Sequence, residues 1–122
     1  MAMTAMELVA SAKQTITEID ASQAQAKLGA ALIDVREPEE YAAGCLPGAV
    51  NIPRGVLEFR IDGHPQIQGR RDGEVILYCQ SGGRSALAAE ALGKLGFTRV
   101  VSLAGGYKGW SEAGLPTQHP SR

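Results

Sequence analysis

The chain contains 122 residues, of which 44% are hydrophobic and 20% are charged, and its formal net charge is −1. This length and composition predict one soluble globular domain with a single core. The near-neutral charge gives no reason to expect a nucleic acid or an anionic membrane as a partner, and no apolar run approaches the length of a membrane span. Residues 1–14 lack the basic and apolar blocks of a signal peptide.

Hydrophobic runs and turn residues predict alternating strands and helices along the chain. Strands are predicted at 15–19, 31–35, 49–53 and 74–78, with 97–101 leading into a last one, and helices at 20–28, 37–41, 85–95 and 107–113. Residues 6–12 are compatible with either a short helix or a loose tail. The run 31–35 is almost entirely apolar, which favours a central strand. Alternating strands and helices indicate an α/β domain with a mostly parallel sheet.

A cysteine stands where the predicted strand 74–78 ends and the next helix begins. Ligands bind at the carboxyl ends of strands in open α/β sheets, and the N–H groups at the start of a helix favour an anion. A helix N-terminus and a nearby arginine also lower the pKa of a thiol, which favours the nucleophilic thiolate over an inert buried cysteine. The junction therefore predicts a reactive thiol in an anion-binding loop. Its seven residues are Cys79, Gln80, Ser81, Gly82, Gly83, Arg84 and Ser85.

The same junction resembles the active-site loop of a known family. Cys79, Gly82 and Arg84 match the Cys-x-x-Gly-x-Arg loop of rhodanese-like sulfurtransferases. Three further blocks match in the same order: 34–41 the family's first signature, 44–53 its Gly-His-Ile-Pro-Gly-Ala-x-Asn-Ile-Pro segment, and 103–116 its closing signature. The resemblance implies a rhodanese-like domain at 15–116, preceded by an N-terminal extension at 1–14 and followed by a tail at 117–122. It also implies a small five-stranded sheet with helices on both faces.

The resemblance further implies sulfur transfer through a persulfide on Cys79, with no metal or organic cofactor. The sulfur would come from a small anionic donor such as thiosulfate and pass to cyanide or a thiol, including a dithiol protein. The substrate-binding residues would be those of the loop, Gln80, Ser81, Gly82, Gly83, Arg84 and Ser85. Arg84 would help to bind the anionic donor, and backbone N–H groups would hold the persulfide. Gln80 occupies a position where many thiosulfate-using relatives carry a basic residue.

Two charged residues follow the predicted strand 31–35 and invite a catalytic interpretation. Asp34 and Arg36 are candidate acid–base groups, but we favour an ion pair that supports the loop through hydrogen bonds. The resemblance implies the same structural role. Gly105 and Gly106 are interpreted as a close approach of two backbone segments near the pocket, because no nucleotide-binding motif surrounds them. Trp110 is expected to pack inward as a large apolar anchor.

The remaining candidates are Cys45 and His64. Cys45 occupies the place where the family usually carries histidine; it is either a second thiol able to form a disulfide with Cys79 or, as we favour, a small side chain in a semi-buried niche. His64 precedes Pro65 in an irregular stretch, and we expect a solvated loop residue rather than a general base. Residues 66–72 are expected to form a surface connection with Arg70 and Arg71 exposed.

The low cysteine content indicates the compartment in which the protein functions. Two cysteines, one of them a candidate reactive thiol, fit a reducing compartment, so a cytoplasmic location is expected.

A sulfur carrier or binding module within a larger assembly remains an alternative function. A cysteine-dependent phosphatase is less favoured, because related phosphatase loops carry one more residue before their arginine, whereas position 85 here is Ser85.

Overall fold

A computed structural model describes residues 2–27 and 29–120. Five strands form one parallel sheet in the order β1-β5-β4-β2-β3, which confirms the predicted α/β architecture and places β2 inside the sheet. No helix in the described part of the chain is both long and apolar enough to cross a bilayer. The strands are β1 (Thr17–Ile19), β2 (Ala31–Asp34), β3 (Val50–Asn51), β4 (Glu74–Tyr78) and β5 (Arg99–Leu103). The helices are α1 (Ala5–Lys13), α2 (Ala21–Gln25), α3 (Pro38–Ala43), α4 (Leu57–Arg60), α5 (Gly83–Lys94) and α6 (Gly106–Glu112), with short 3-10 turns at Arg54–Val56 and Ile61–Gly63.

The sheet separates two apolar clusters because successive side chains of a strand point to opposite faces. On one face Val75 and Leu77 of β4 pack with residues of α4 and α5. On the other face Tyr78 packs with Trp110 of α6, and α2 covers the same side. Trp110 is buried, as predicted, and its indole N–H donates to the carbonyl of Pro116 at 2.6 Å.

The two ends of the chain are more ordered than the sequence indicated. Residues 5–13 form a true helix, which begins at the capping box of Thr4 and Glu7 and packs along α5. Near the other end, Gln118 exchanges two backbone hydrogen bonds with Cys45, at 2.8 and 2.9 Å. The predicted end of α2, Leu28, lies outside the described residues, and α2 itself ends at Gln25.

Two predicted strands and one helix face differ from the structure. β1 begins at Thr17 rather than at residue 15, and β3 is reduced to Val50–Asn51. The spacing of four between Leu87, Ala91 and Leu95 predicts that they form the apolar face of α5. That prediction was wrong: Leu87 and Ala91 are only half-buried, and Leu95 is exposed. The side that faces the sheet carries mainly small residues, which let the helix approach the strands closely. Its buried members are Ser85, Ala86, Ala88, Ala89 and Leu92.

The irregular stretch after β3 is also more buried than predicted. His64 is buried, so the prediction of a solvated histidine was wrong. Ile67, in the supposed surface connection, is fully buried. Arg70 is exposed as expected, but Arg71 is half-buried, pairs with Asp62 and lies 4.7 Å from the ring centre of Phe97.

Candidate active site

Cys79 lies directly after β4, the central strand, and its side chain is 1% exposed. Two backbone N–H groups donate to its sulfur, that of Gly82 at 3.1 Å and that of Ser85 at 3.4 Å. The Ser85 hydroxyl oxygen lies 3.6 Å from the same sulfur. The loop curls this tightly because Gly82 adopts φ 111°, a left-handed conformation that favours glycine. The carboxyl end of β4 and the first turn of α5 thus enclose a single sulfur atom.

The surroundings of Cys79 favour its thiolate. Burial has the largest effect on the pKa of Cys79 and raises it, because a charge loses solvation in the interior. Hydrogen bonds from Ser85, Gly82 and Ser81 act in the opposite direction and together outweigh burial. The pKa of Cys79 is therefore lowered overall, which increases the fraction of nucleophile at neutral pH.

The N-terminus of α6 braces the loop from behind. The backbone N–H groups of Tyr107 and Lys108 donate to the carbonyls of Cys79 and Gln80, at 2.8 and 3.0 Å. Gly106 makes this approach possible: its φ is +56°, and a Cβ there would lie 2.8 Å from the Gln80 oxygen and closer still to that of Cys79. The close backbone approach predicted for the glycine pair is therefore present.

Asp34 and Arg36 form a buried ion pair beside the loop. Both side chains are almost fully buried, and Arg36 Nη2 lies 2.7 Å from an Asp34 carboxylate oxygen. Arg36 also donates to the carbonyl of Gly44 at 2.7 Å and to the side-chain oxygen of Gln80 at 3.3 Å. Its guanidinium lies 4.5 Å from the ring centre of Tyr107. The pair therefore connects β2 with the loop and with α6.

Arg84 points to a partner that the sequence analysis missed. Its guanidinium binds the Glu40 carboxylate through two hydrogen bonds, at 2.7 and 3.0 Å. This ion pair lowers the pKa of Glu40 from its ordinary 4.5 to about 2. Glu40 belongs to the first signature block, but its distance from the loop in sequence concealed the pairing.

A second missed residue is Ser102 on β5. It is fully buried, and its hydroxyl lies 2.8 Å from that of Ser85. A polar residue near the end of an apolar strand was the available signal, since buried hydroxyl groups require partners.

The remaining loop residues occupy distinct positions around the thiol. Gln80 is half-buried against Arg36, and Ser81 is exposed at the surface of the loop. Gly83 begins α5, and a Cβ there would lie 3.6 Å from Val9 of α1. Helix α1 and the loop together line a surface cavity of about 430 Å³. The N-terminal segment that the sequence analysis set apart thus borders the site.

Within the described residues, no hydrogen bond or disulfide joins Cys45 or His64 to the sulfur of Cys79. Cys45 is fully buried rather than semi-buried, both cysteines are free thiols, and burial raises the pKa of Cys45. His64 Nδ1 accepts the backbone N–H of Gln66 at 3.0 Å, whereas its Nε2 has no hydrogen-bond partner within the described residues. Burial lowers the pKa of His64.

Comparison with known proteins agrees with this geometry. The model of the rhodanese-like domain family matches residues 13–113. A sulfurtransferase of Allochromatium vinosum is 34% identical over 109 residues, which cover 86% of this chain and 97% of that protein. Thiosulfate sulfurtransferase 16, chloroplastic, of Arabidopsis thaliana is 42% identical over 94 residues, covering 70% of this chain and 78% of that protein.

One solved structure is similar over nearly the entire chain. It is a protein of unknown function from Rhodopseudomonas palustris, described as a possible tyrosine phosphatase. Its TM-score is 0.83 at 28% identity, and the match covers 97% of this chain and 96% of that one. The family match spans most of the chain, and the sulfurtransferase of A. vinosum is similar over nearly its whole length. The chain therefore belongs to the rhodanese-like family of sulfurtransferases.

Proposed function

We propose that the protein transfers sulfane sulfur through a persulfide on Cys79, with thiosulfate or a similar small anion as donor. The observation that carries this proposal is the set of hydrogen-bond donors that converge on the Cys79 sulfur at the end of β4. Such donors stabilise a thiolate before the reaction and an anionic sulfur after it. The acceptor is cyanide or a thiol, including a dithiol protein.

The reaction consists of two displacements at sulfur. The Cys79 thiolate attacks the outer sulfur of thiosulfate, forms the new S–S bond and expels sulfite with the electron pair of the broken bond. The acceptor thiolate or cyanide then attacks the terminal sulfur of the persulfide. This second step regenerates the Cys79 thiolate and yields a persulfide of the acceptor or thiocyanate.

The loop provides further donors for the terminal sulfur. The backbone N–H groups of Gly83 and Arg84, in the first turn of α5, have no hydrogen-bond acceptor within the described residues. Unpaired N–H groups at a helix start are suited to an anion. We assign the backbone of this turn to the persulfide and the donor anion, together with Gln80 and Ser81 at the entrance.

Arg84 contributes positive charge to donor binding even though it is paired. Glu40 occupies two of the five guanidinium N–H donors, and three remain for an anion. Asp34 and Arg36 act as structural support, because the hydrogen bonds of their side chains lead to backbone, to Gln80 or to each other. As part of the same proposal, we place the protein in the reducing cytoplasm, where the two free thiols stay reduced.

A phosphatase is the second candidate, favoured by the description of the R. palustris protein as a possible tyrosine phosphatase. The geometry here argues against it. Gly82 N and Ser85 N already contact the Cys79 sulfur, so the cradle is sized for one sulfur atom. A phosphoryl group needs a wider loop in which the N–H groups reach three oxygens.

The deciding experiment is incubation with thiosulfate in the absence of an acceptor. We expect the intact mass to increase by one sulfur atom, peptide mapping to locate that atom on Cys79, and cyanide to remove it. Cys79→Ser should not be loaded, because a hydroxyl is far less ionised than a thiol at neutral pH. Arg84→Ala should be loaded more slowly, since it binds the donor anion less well.

Two outcomes would contradict the proposal. The sulfurtransferase assignment fails if neither thiosulfate nor mercaptopyruvate loads Cys79. The phosphatase becomes the favoured activity over the sulfurtransferase if the unmodified protein hydrolyses an aryl phosphate and this hydrolysis requires Cys79. Loading without turnover toward cyanide or small thiols would instead indicate a sulfur carrier for a protein partner.

A further inference from the structure

Two buried hydroxyl groups, those of Ser85 and Ser102, form a hydrogen-bonded pair next to the Cys79 sulfur. Ser102 Oγ is 2.8 Å from Ser85 Oγ, and Ser85 Oγ is 3.6 Å from Cys79 Sγ. Both serines are fully buried, and Cys79 is 1% exposed. Burying a hydroxyl in an apolar interior is costly unless it is hydrogen-bonded. A valine or an alanine at position 102 would avoid this cost. The presence of a serine there therefore suggests that its hydroxyl has a role.

The geometry restricts how the two hydroxyl protons are arranged. Within the described residues, Ser85 Oγ is the only hydrogen-bond partner of the Ser102 hydroxyl. The Ser85 hydroxyl has three neighbours: Ser102, the Gly82 carbonyl at 3.3 Å and the Cys79 sulfur. If Ser102 donates to Ser85, the single proton of Ser85 is left for the carbonyl or the sulfur. A thiolate is the stronger acceptor, because its hydrogen bond is charge-assisted.

A hydrogen bond received by Ser85 also makes its hydroxyl a better donor. Chains of hydrogen bonds polarise one another, and the effect is stronger in a buried site than in water. Removal of the Ser102 hydroxyl leaves the Ser85 hydroxyl without this polarisation. The Ser85 hydroxyl can then turn more easily to donate to the Gly82 carbonyl. Ser102 would thus act on the sulfur only through Ser85.

We propose that Ser102 is a positioning residue that directs the Ser85 hydroxyl proton toward the sulfur of Cys79. The inference rests on the proposed function in one respect, namely that Cys79 is the nucleophile. It adds a residue on β5 to a site otherwise built from the loop after β4. The hydroxyl pair serves the thiolate before sulfur loading and the regenerated thiolate after it.

The charged and titratable groups around Cys79 remain unchanged in the variants used to test this proposal. Arg84 belongs to the same loop at the start of α5, and Glu40 of α3 pairs with Arg84. The Asp34–Arg36 pair adjoins the loop from β2. Tyr107 and Lys108 adjoin it from α6, and Lys13 of α1 lines the neighbouring cavity.

The test is the pH dependence of Cys79 alkylation by iodoacetamide, followed by peptide mapping. A hydrogen bond to a charged group is worth enough to move a midpoint by about one pH unit. We expect Ser85→Ala to raise the midpoint by about one unit and Ser102→Ala by about half a unit. The double variant should match Ser85→Ala, because Ser102 has nothing to act through once Ser85 is gone. Ser102→Thr, which keeps the hydroxyl, should restore the wild-type midpoint.

A control separates positioning from general destabilisation. Val101→Ala, at the adjacent position of β5, also truncates a partly buried side chain and should leave the midpoint unchanged. The proposal is overturned if Ser102→Ala leaves the midpoint unchanged, or if its effect persists undiminished in the Ser85→Ala background. Alkylation requires no sulfur donor. A failure of thiosulfate loading would therefore refute the proposed function while leaving the measured shift intact.

Discussion

The ion pair between Glu40 and Arg84 leads to a quantitative prediction about stability. Glu40→Gln removes the carboxylate charge but keeps the size of the side chain and one acceptor oxygen. The pKa of Glu40 decreases from 4.5 to about 2 on folding, mainly because Arg84 binds its carboxylate. Taken at face value, this decrease corresponds to about 3 kcal/mol of stabilisation.

That figure must be reduced for solvent screening. The side chains of Glu40 and Arg84 keep 34% and 39% of their surface exposed, and partly exposed ion pairs contribute far less than buried ones. We therefore expect Glu40→Gln to lower the free energy of unfolding by about 1 kcal/mol at pH 7. A carboxyl whose pKa is lowered in the folded state stabilises the fold above its unfolded pKa of 4.5. This contribution declines as the pH falls from 4.5 toward 2.

Urea denaturation of both proteins at several pH values measures the effect. The difference in unfolding free energy between wild type and Glu40→Gln should be largest at neutral pH and should fall to less than half of that value by about pH 3. Glu39→Gln is the matched control, because Glu39 lies in the same helical turn, is exposed and has no ion-pair partner among the described residues. A difference that does not vary with pH, or an equal effect of Glu39→Gln, would refute the reasoning.

Two further substitutions test the brace behind the loop and the second cysteine. Gly106→Ala should lower stability by about 2 kcal/mol and impair sulfur transfer, because its Cβ would displace the backbone of Cys79. Gly109→Ala should be tolerated, since no atom lies within 4 Å of its Cβ position, and equal losses in the two variants would contradict the proposed brace. Cys45→Ala should keep most of the transfer activity, because Cys45 is a free thiol that is not bonded to Cys79. It should lower the free energy of unfolding by about 1 kcal/mol, because the Cys45 side chain is buried. A loss of activity as large as that of Cys79→Ser would show that Cys45 takes part in the reaction.

The sequence by itself predicted the order of the elements and the position of Cys79 between a strand and a helix. Both depend on local patterns: apolar runs for strands, and the transition from strand to glycine-containing turn to helix that places Cys79 at the carboxyl end of β4. The parallel five-stranded sheet followed from that alternation together with the family resemblance. The bracing role of Gly106 was also accessible, because glycine in such a turn indicates a close backbone approach.

Contacts between distant residues were decided only by the tertiary structure. Glu40 and Arg84 are 44 positions apart, and Ser85 and Ser102 are 17 apart, so no local pattern could pair them. The burial of His64 and the side of α5 that faces the sheet have the same origin. His64 alone looks like a loop residue, but neighbouring elements remove it from solvent. The sheet packs against the mainly small residues of α5 rather than against Leu87, because small side chains let the helix approach the strands closely.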